Sequence, residues 1–405
     1  MEDHVKPIES DAEAKGRRRV KPGTNRTRLE RTAVTEPGQS QRGGQGSQQM
    51  QVAGDLIINA GVSEERAREI ARETSREVIQ QHTVEAMGLV EQRIDKLDTR
   101  VVEVLSSQAR LSAFADPGFI RTFKKAQEGA ASSERESDYD MLAALLAQRA
   151  EKPRERPVRA GIERAIEIMD QVDDDALRGL TVMHALGAWI PLSPNISTGV
   201  ETIEGIFGDL VDGPLPEGRD WIDHLDILDA VRVNSVTEFR PFDDYYPKQF
   251  PGYIAPGVPA DEVPHEIGGS VGPLPWGAFV EAHELRPGYV RLKAVAEHAF
   301  RDMYGNAGLE QIWVEDIVAQ GIKVFGLGTV DEDAKTALAG RLRAEPTLGL
   351  IADWWGRLPH HFGITAVGRA LATANAFRLD ALDRLPREGA LGKPVEKNSA
   401  EPEVG

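Results

Sequence analysis

A long proline-free segment with a regular apolar repeat constrains the fold of this chain more than any other feature. From Glu64 to about Ala113 the sequence contains no proline and a single glycine, Gly88. Apolar residues within this segment recur at alternating spacings of three and four, which is the period of a coiled-coil seam. The seam comprises Met87, Val90, Ile94, Leu97, Val101, Val104 and Leu111.

The seam predicts a partner helix. Seams of this length commonly pair between chains, so we expect a homo-oligomer, although the long helix can also pack back on its own chain. Charged residues such as Glu91 and Arg100 flank the seam, as the e and g positions of a heptad do. The interpretation for residues 50–116 is a short strand at Val52–Asn59 followed by one long coiled-coil helix.

The N-terminal segment has a different composition. Residues 1–49 are rich in Pro, Gly, Gln, Ser and Arg with few large apolar side chains, so we expect a disordered tail. This tail carries 10 Lys and Arg against 7 Asp and Glu, whereas the whole chain has a net charge of −17, which leaves the remainder at about −20. An acidic body repels the phosphate backbone of nucleic acid, so protein is a more favoured partner than nucleic acid. The basic tail is the part of the chain that could contact nucleic acid.

Shorter helical patterns follow the long helix. Asp116-Pro117-Gly118 ends that helix, and apolar spacings beyond it predict a helical domain at 117–240. Residues 241–275, rich in Pro, Gly, Tyr and Asp, predict an irregular linker. We therefore expect a mainly α protein with a C-terminal α+β region at 276–385 and a second disordered tail at 386–405.

The C-terminal region contains signals of winged-helix-like hairpins. Apolar alternation on both sides of Arg286-Pro287-Gly288 predicts a hairpin at 279–292. Phe362-Gly363-Ile364 is typical of a strand, and it leads into a predicted helix from Ala366 to about Arg384. Because no basic recognition helix precedes either element, protein binding is favoured over DNA binding.

Composition excludes several classes of site. The chain has no cysteine, which excludes disulfides, thiolate zinc sites and a cysteine nucleophile, and fits a reducing cytoplasm. The longest apolar run, Leu180 to Leu192, is too short to span a bilayer, and the N-terminus has no apolar signal region. We expect a cytoplasmic protein that does not contact a membrane.

Two constellations can be interpreted as sites for chemistry. A polar cluster within one predicted helix could hold a divalent cation, although an acidic face of this kind is usually just the solvated side of a helix. Gly326 and Gly328 could cradle a phosphate, but the third glycine of the motif is missing and acidic residues follow. We therefore predict no catalytic residue, no metal and no cofactor. The polar cluster comprises Asp220, Asp223, His224, Asp226 and Asp229.

Four stretches resemble an uncharacterised family of bacterial cytoplasmic proteins known by locus-tag names. They are QVAGDLIIN at 51–59, SDYDML at 137–142, WIDHLDILDAVR at 221–232 and ITAVGRALATAN at 364–375. More loosely, the chain is similar to abortive-infection alpha proteins, which share a helical body and a Thr-x-x-Gly wing near the end. The first resemblance implies no activity, and the second implies a role in phage defence.

We expect a non-catalytic interaction or scaffold protein that binds an as yet unidentified protein partner, with the coiled coil setting its oligomeric state. One alternative is a winged-helix regulator that binds nucleic acid through the tail and the wings. Another is a metal- or nucleotide-dependent enzyme centred on Asp220–Asp229 or Gly326–Gly328.

Overall fold

The described part of the chain is mainly helical, which confirms the predicted fold class. The computed structural model describes residues 62–80, 84–152, 155–234, 236–267, 274–306 and 310–379, all within one compact unit that begins at Ala60. The predictions for the tails at 1–49 and 386–405 and for the strand at 52–59 lie outside the described residues. The first eight helices are α1 Glu64–Ile79, α2 Val84–Ser107, α3 Pro117–Ser132, α4 Glu136–Glu151, α5 Arg156–Ile168, α6 Asp174–Ala188, α7 Ile196–Leu210 and α8 Asp220–Ile227.

Short strands and further helices make up the rest. The strands are β1 Val231–Asn234, β2 Val258–Pro259, β3 Glu266–Ile267, β4 Leu274–Pro275, β5 Val280–Ala282, β6 Tyr289–Leu292 and β7 His361–Ile364. The helices are α9 Phe242–Tyr245, α10 Glu297–Asn306, α11 Gln311–Phe325, α12 Glu332–Ala344, α13 Pro346–Trp355 and α14 Ala366–Arg378. No helix in the described ranges is long and apolar enough to cross a lipid bilayer.

The predicted long helix is two antiparallel helices, α1 and α2. Ser63 caps α1 by accepting a hydrogen bond from the backbone N–H of Arg66. Val78 near the end of α1 packs with Val90 and Ile94 near the start of α2. The chain therefore turns back between α1 and α2, because the small buried side chains of α1 and the seam of α2 cover each other.

The last helix lies in the middle of the helical body. α14 packs against α4, α5 and α6, and its Leu371 is fully buried with Leu145 and Leu180 in the main core. β7, which leads into α14, pairs antiparallel with β1, with Val231 opposite Ile364 and Val233 opposite Phe362. β7 and α14, which the sequence assigns to the C-terminal region, thus complete the core of the helical body. The domain boundary predicted at residue 276 stays a prediction.

Helix α8 ends at Ile227, and residues Val231–Asn234 form the strand β1. Asp229, between the two elements, has a φ of 63°, in the left-handed region that a non-glycine residue adopts only at some cost. Two β-branched residues, Val231 and Val233, then favour the extended conformation. The chain passes from helix to strand here because β1 can pair with β7.

The predicted hairpin at 279–292 is confirmed. β5 and β6 pair antiparallel, with Val280 opposite Leu292, and β2 adds a third strand in the order β2-β6-β5. This small sheet has its own core, in which Trp276, Leu292, Phe300 and Phe325 are buried with residues of α11. The hairpin therefore packs against α10 and α11.

Candidate functional site

A small polar cleft lies where four segments of the helical body meet. The cleft has a volume of about 130 Å³. One segment is the start of α4, a second the start of α6, a third the stretch just after α7 and the last the end of α14. These segments are far apart along the chain, so only the packing of the helices brings them together. The lining residues are Ser137, Asp174, Leu177, Arg178, Asp212, Asn375 and Arg378.

The floor of the cleft is a fixed hydrogen-bond chain around Asn375, which is 2% exposed. The Asn375 side chain donates from Nδ2 to Oγ1 of Thr181 at 3.0 Å. Its Oδ1 accepts two hydrogen bonds from Arg378, from Nε at 3.0 Å and from Nη2 at 2.8 Å. Because every partner is itself bonded or buried, the floor is organised before any ligand arrives.

The second arginine of the cleft is held by carboxylates. Arg178 donates from Nε to Asp212 Oδ1 at 2.7 Å and from Nη1 to Asp175 Oδ1 at 2.5 Å. Burial lowers the pKa of Arg178, but the hydrogen bonds to Asp212 and Asp175 outweigh it, so the pKa lies above its ordinary value. The other carboxylate oxygen of Asp212 lies 3.7 Å from Nη2 of Arg378.

The carboxylates of the cleft are more exposed than the arginines. The side chains of Asp174 and Asp212 are 66% and 36% exposed, whereas those of Arg178 and Arg378 are 12% and 24% exposed. The mouth is therefore acidic and the floor is basic. A cleft of this size is smaller than the usual small-molecule pocket and fits the tip of one polar side chain.

The predicted seam packs inside the chain. Val90, Ile94, Leu97 and Val101 are each less than 5% exposed. The helix that carries them contacts α1, α3 and α4. The centre of the seam therefore presents no apolar surface to a second copy. Of the other predicted seam residues, Met87, Val104 and Leu111 are half-buried.

The polar cluster around α8 is divided among separate structural contacts. Asp223 accepts from Arg219 Nε at 2.9 Å. Asp229 accepts from Arg232 Nη2 at 2.6 Å and lies 3.5 Å from Arg164. The hydrogen bond from Arg232 holds the pKa of Asp229 below its ordinary value. These two carboxylates thus serve as partners of surface arginines.

The remaining residues of that cluster point to different neighbours. His224 accepts from the backbone N–H of Asp173 through Nε2 at 3.3 Å. Asp226 accepts from the backbone N–H of Val233 at 3.3 Å and so caps the outer edge of β1. The five residues of the predicted polar cluster do not form a group that could hold a metal ion. Nowhere in the described residues do three or more acidic or histidine side chains form such a group.

The glycines at 326 and 328 belong to a helix end. Gly326 ends α11 with a φ of 70° and donates its N–H to the carbonyl of Ile322 at 3.1 Å. The residues before it form the helix α11. A left-handed glycine that closes the last turn of a helix explains the motif without a phosphate.

The hairpin that resembles a wing is tied to the helical body. Glu284, just after β5, accepts from the backbone N–H of Ile196 at 2.7 Å and of Ser197 at 3.1 Å at the start of α7. Arg341 of α12 donates to the same carboxylate at 3.0 Å. The neighbouring His283 is 2% exposed, and its Nε2 lies 2.9 Å from the carbonyl oxygen of Ala255. These two polar residues of the hairpin therefore bond within the chain.

Sequence reasoning did not identify the cleft. Ser137 and Asn375 lie in two of the stretches that carry the family resemblance, SDYDML and ITAVGRALATAN, but nothing in either stretch shows that they share a site. Arg378 follows Asn375 by three residues, so one helical turn places both on one face. Asp212 carried no such signal.

A family model described as ":-like" matches residues 61–381, more than half of the chain, which shows family membership. No curated protein and no solved structure matches the chain.

Proposed function

We propose that this chain, which belongs to the family described as ":-like", is a non-catalytic bacterial interaction protein of the cytoplasm. Its partner is a protein with a basic surface, and a lysine or arginine of that partner binds the carboxylates at the mouth of the cleft between α4, α6 and α14. The observation that carries the proposal is the arrangement of charge in the cleft, with exposed carboxylates at the mouth above a bonded floor.

The size of the cleft supports this role. About 130 Å³ is enough for the end of one long side chain, and buried pockets that hold one anchoring side chain often dominate the energetics of protein interfaces. The floor around Asn375 is already fixed, so binding does not have to order it. At the mouth, Asp174 accepts from Arg135 Nη1 through Oδ1 at 3.0 Å, and Asp212 accepts from Arg178. A cationic group of the partner shares these two carboxylates.

The charge of the whole chain favours the same partner. With the tail set aside, the chain carries about −20, which steers basic surfaces toward it and repels nucleic acid. The proposal predicts association that weakens as salt is added, because the contact at the mouth is exposed to solvent. Self-association and a role in phage defence stay predictions.

A charge reversal at the mouth tests the proposal. The full chain is produced in cells with an affinity tag, as the wild type, Asp174→Lys or Asp333→Lys. Bound partners are cross-linked and captured, and the captured proteins are compared among the three samples. Asp333 is the matched control, because it also lies exposed in the first turn of a helix, away from the cleft lining. Unfolding temperatures of the two variants are compared to show that both fold.

We expect Asp174→Lys to lose at least one basic partner that the wild type and Asp333→Lys both retain. The same set of captured proteins in all three samples would contradict the proposal. Loss of an acidic partner by Asp174→Lys alone would also contradict it, because the wild-type mouth would then not select for positive charge.

A further inference from the structure

Helix α1 is attached to the body through small side chains. Its buried residues are Ala67, Ala71, Thr74 and Val78. They bury little apolar area, and hydrophobic stabilisation scales with that area. A helix of 16 residues is marginally stable alone in water. Whether α1 stays docked therefore depends on its other contacts.

The main polar contact of α1 is a cluster that joins three helices. Ser75 Oγ of α1 lies 2.8 Å from Oδ2 of Asp98 on α2. Gln127 of α3, which is fully buried, donates from Nε2 to Asp98 Oδ1 at 2.8 Å and to Ser75 Oγ at 3.0 Å. Ser75 Oγ also lies 2.8 Å from the carbonyl oxygen of Ala71.

The number of protons in this cluster points to a neutral Asp98. The Ser75 hydroxyl has one proton but two close acceptors, the Ala71 carbonyl and Asp98 Oδ2. If Oδ2 carries a proton, it donates to Ser75, and Ser75 donates to Ala71. Both contacts are then hydrogen bonds, whereas an ionised Asp98 leaves one pair of oxygens without a proton between them.

We propose that α1 is a proton-controlled helix: a proton on Asp98 holds it against α2 and α3, and loss of that proton releases it. This proposal is independent of the cleft. Gln127 Oε1 is buried without a hydrogen-bond partner within the described residues. Release exposes both this acceptor and the carboxylate to water, which lowers the cost of ionising Asp98.

The pKa of Asp98 agrees with the geometry. Burial raises this pKa to about 7, although the hydrogen bonds from Gln127 and Ser75 lower it in part. A carboxyl group whose pKa is raised in the docked state stabilises docking at low pH. That stabilisation decreases as the pH rises from the ordinary pKa near 3.8 and is fully lost above the raised pKa near 7.

The charges around Asp98 are few. Arg68 and Arg72 of α1 and Asp95 of α2 line a narrow cleft that reaches Asp98 from solvent. Arg68 is paired with Glu64 at 2.8 Å, and Asp95 raises the pKa of Asp98 further. From α3, Gln127 is neutral, and Lys124 is paired with Glu77 of α1 at 2.8 Å. The short segment Leu111–Ala115, which also contacts α1, contains no ionisable side chain.

Hydrogen exchange of the full chain, measured between pH 5 and pH 8, tests this inference. Three proteins are compared, the wild type, Asp98→Asn and Asp95→Asn. The Asp98→Asn side chain mimics the neutral carboxyl group, because its oxygen can accept from Gln127 and its amide can donate to Ser75. Asp95 is the control, since its exposed carboxylate lines the same cleft without joining the cluster. Protection factors of α1 amides are read against those of α4.

In the wild type we expect the protection of α1 to fall about tenfold between pH 6 and pH 8 while α4 stays unchanged. Asp95→Asn should show the same fall beginning at a slightly lower pH, because Asp95 raises the pKa of Asp98. In Asp98→Asn the protection of α1 should be independent of pH. An equal loss in α4 overturns the proposal, because the cluster would then stabilise the whole fold. A pH-independent wild type overturns it as well, as does a titration of the Asp98 carboxyl carbon near pH 4 in NMR spectra.

Discussion

Gly368 lies against the carbonyl oxygen of Ala230, so close that a Cβ on this glycine would be 2.1 Å from that oxygen. Three residues earlier, Thr365 donates its backbone N–H to the same carbonyl at 3.0 Å and its hydroxyl to the carbonyl of Asp229 at 2.6 Å. The Thr-x-x-Gly sequence thus joins the start of α14 to the start of β1. This contact brings α14 into the helical body.

A side chain at 368 should destabilise the protein. We expect Gly368→Ala to lower the free energy of unfolding by about 1–3 kcal/mol, because the added methyl group forces α14 away from Ala230. Gly340→Ala on the exposed face of α12, where a Cβ meets nothing, should instead raise it by about 0.4–1 kcal/mol. Urea unfolding of the two variants measures both values, and equal effects would contradict the role given to Gly368.

The cap of α14 should depend on the hydroxyl of Thr365. Thr365→Val keeps the shape but removes the bonds to Asp229 and to the backbone N–H of Gly368, so we expect a loss of about 1–2 kcal/mol. Thr365→Ser keeps the hydroxyl and should retain most of the stability. Thermal unfolding distinguishes them, and a serine variant as unstable as the valine variant would show that the methyl group matters instead.

The contact between the hairpin and α7 should depend on pH. Burial raises the pKa of Glu284, but bonds from Ser197, Arg341 and the backbone outweigh it, so the pKa is lowered. A lowered carboxyl pKa gives stability that is present above the ordinary value and is lost as pH falls through the folded value. We expect Glu284→Gln to cost about 1–2 kcal/mol at pH 7.

That difference between Glu284→Gln and the wild type should shrink as the pH falls from the ordinary pKa of 4.5 through the lower pKa of the folded state, because Glu284 then becomes protonated in the wild type as well. Denaturant unfolding at pH 7 and pH 3.5 measures it. Glu201→Gln, an exposed site on α7, is the control and should differ little from the wild type at either pH. A cost for Glu284→Gln that does not change with pH would contradict the assignment.

The buried seam gives a prediction about stability. Leu97 is fully buried on α2, which contacts α1, α3 and α4, so Leu97→Ala should cost about 2–5 kcal/mol. Leu89 on the same helix is 52% exposed, and Leu89→Ala should change stability by less than about 0.5 kcal/mol. Unfolding measured at two protein concentrations also tests the self-association. A wild-type unfolding midpoint that rises with protein concentration would instead indicate association between chains.

Local signals predicted much of this fold. Asp116 and Pro117 start α3, and Asp173 starts α6 by accepting from two backbone N–H groups, as their positions in the sequence indicate. The turn at Arg286-Pro287-Gly288 is likewise a local feature, and Gly288 has a φ of 85°. The cleft was not predictable, because Asp212 meets Arg378 across more than 160 residues of chain.

The sequence by itself determined that the chain is helical, where most helices begin, and that α2 needs a partner along its seam. Tertiary structure decided which helices fill that role, since periodicity records that a face is buried but not which surface buries it. It also decided that Val231–Asn234 becomes a strand, because this segment pairs with β7, which lies more than a hundred residues later in the chain. Contacts over such distances depend on shape and hydrogen bonding between elements, and neither leaves a local pattern.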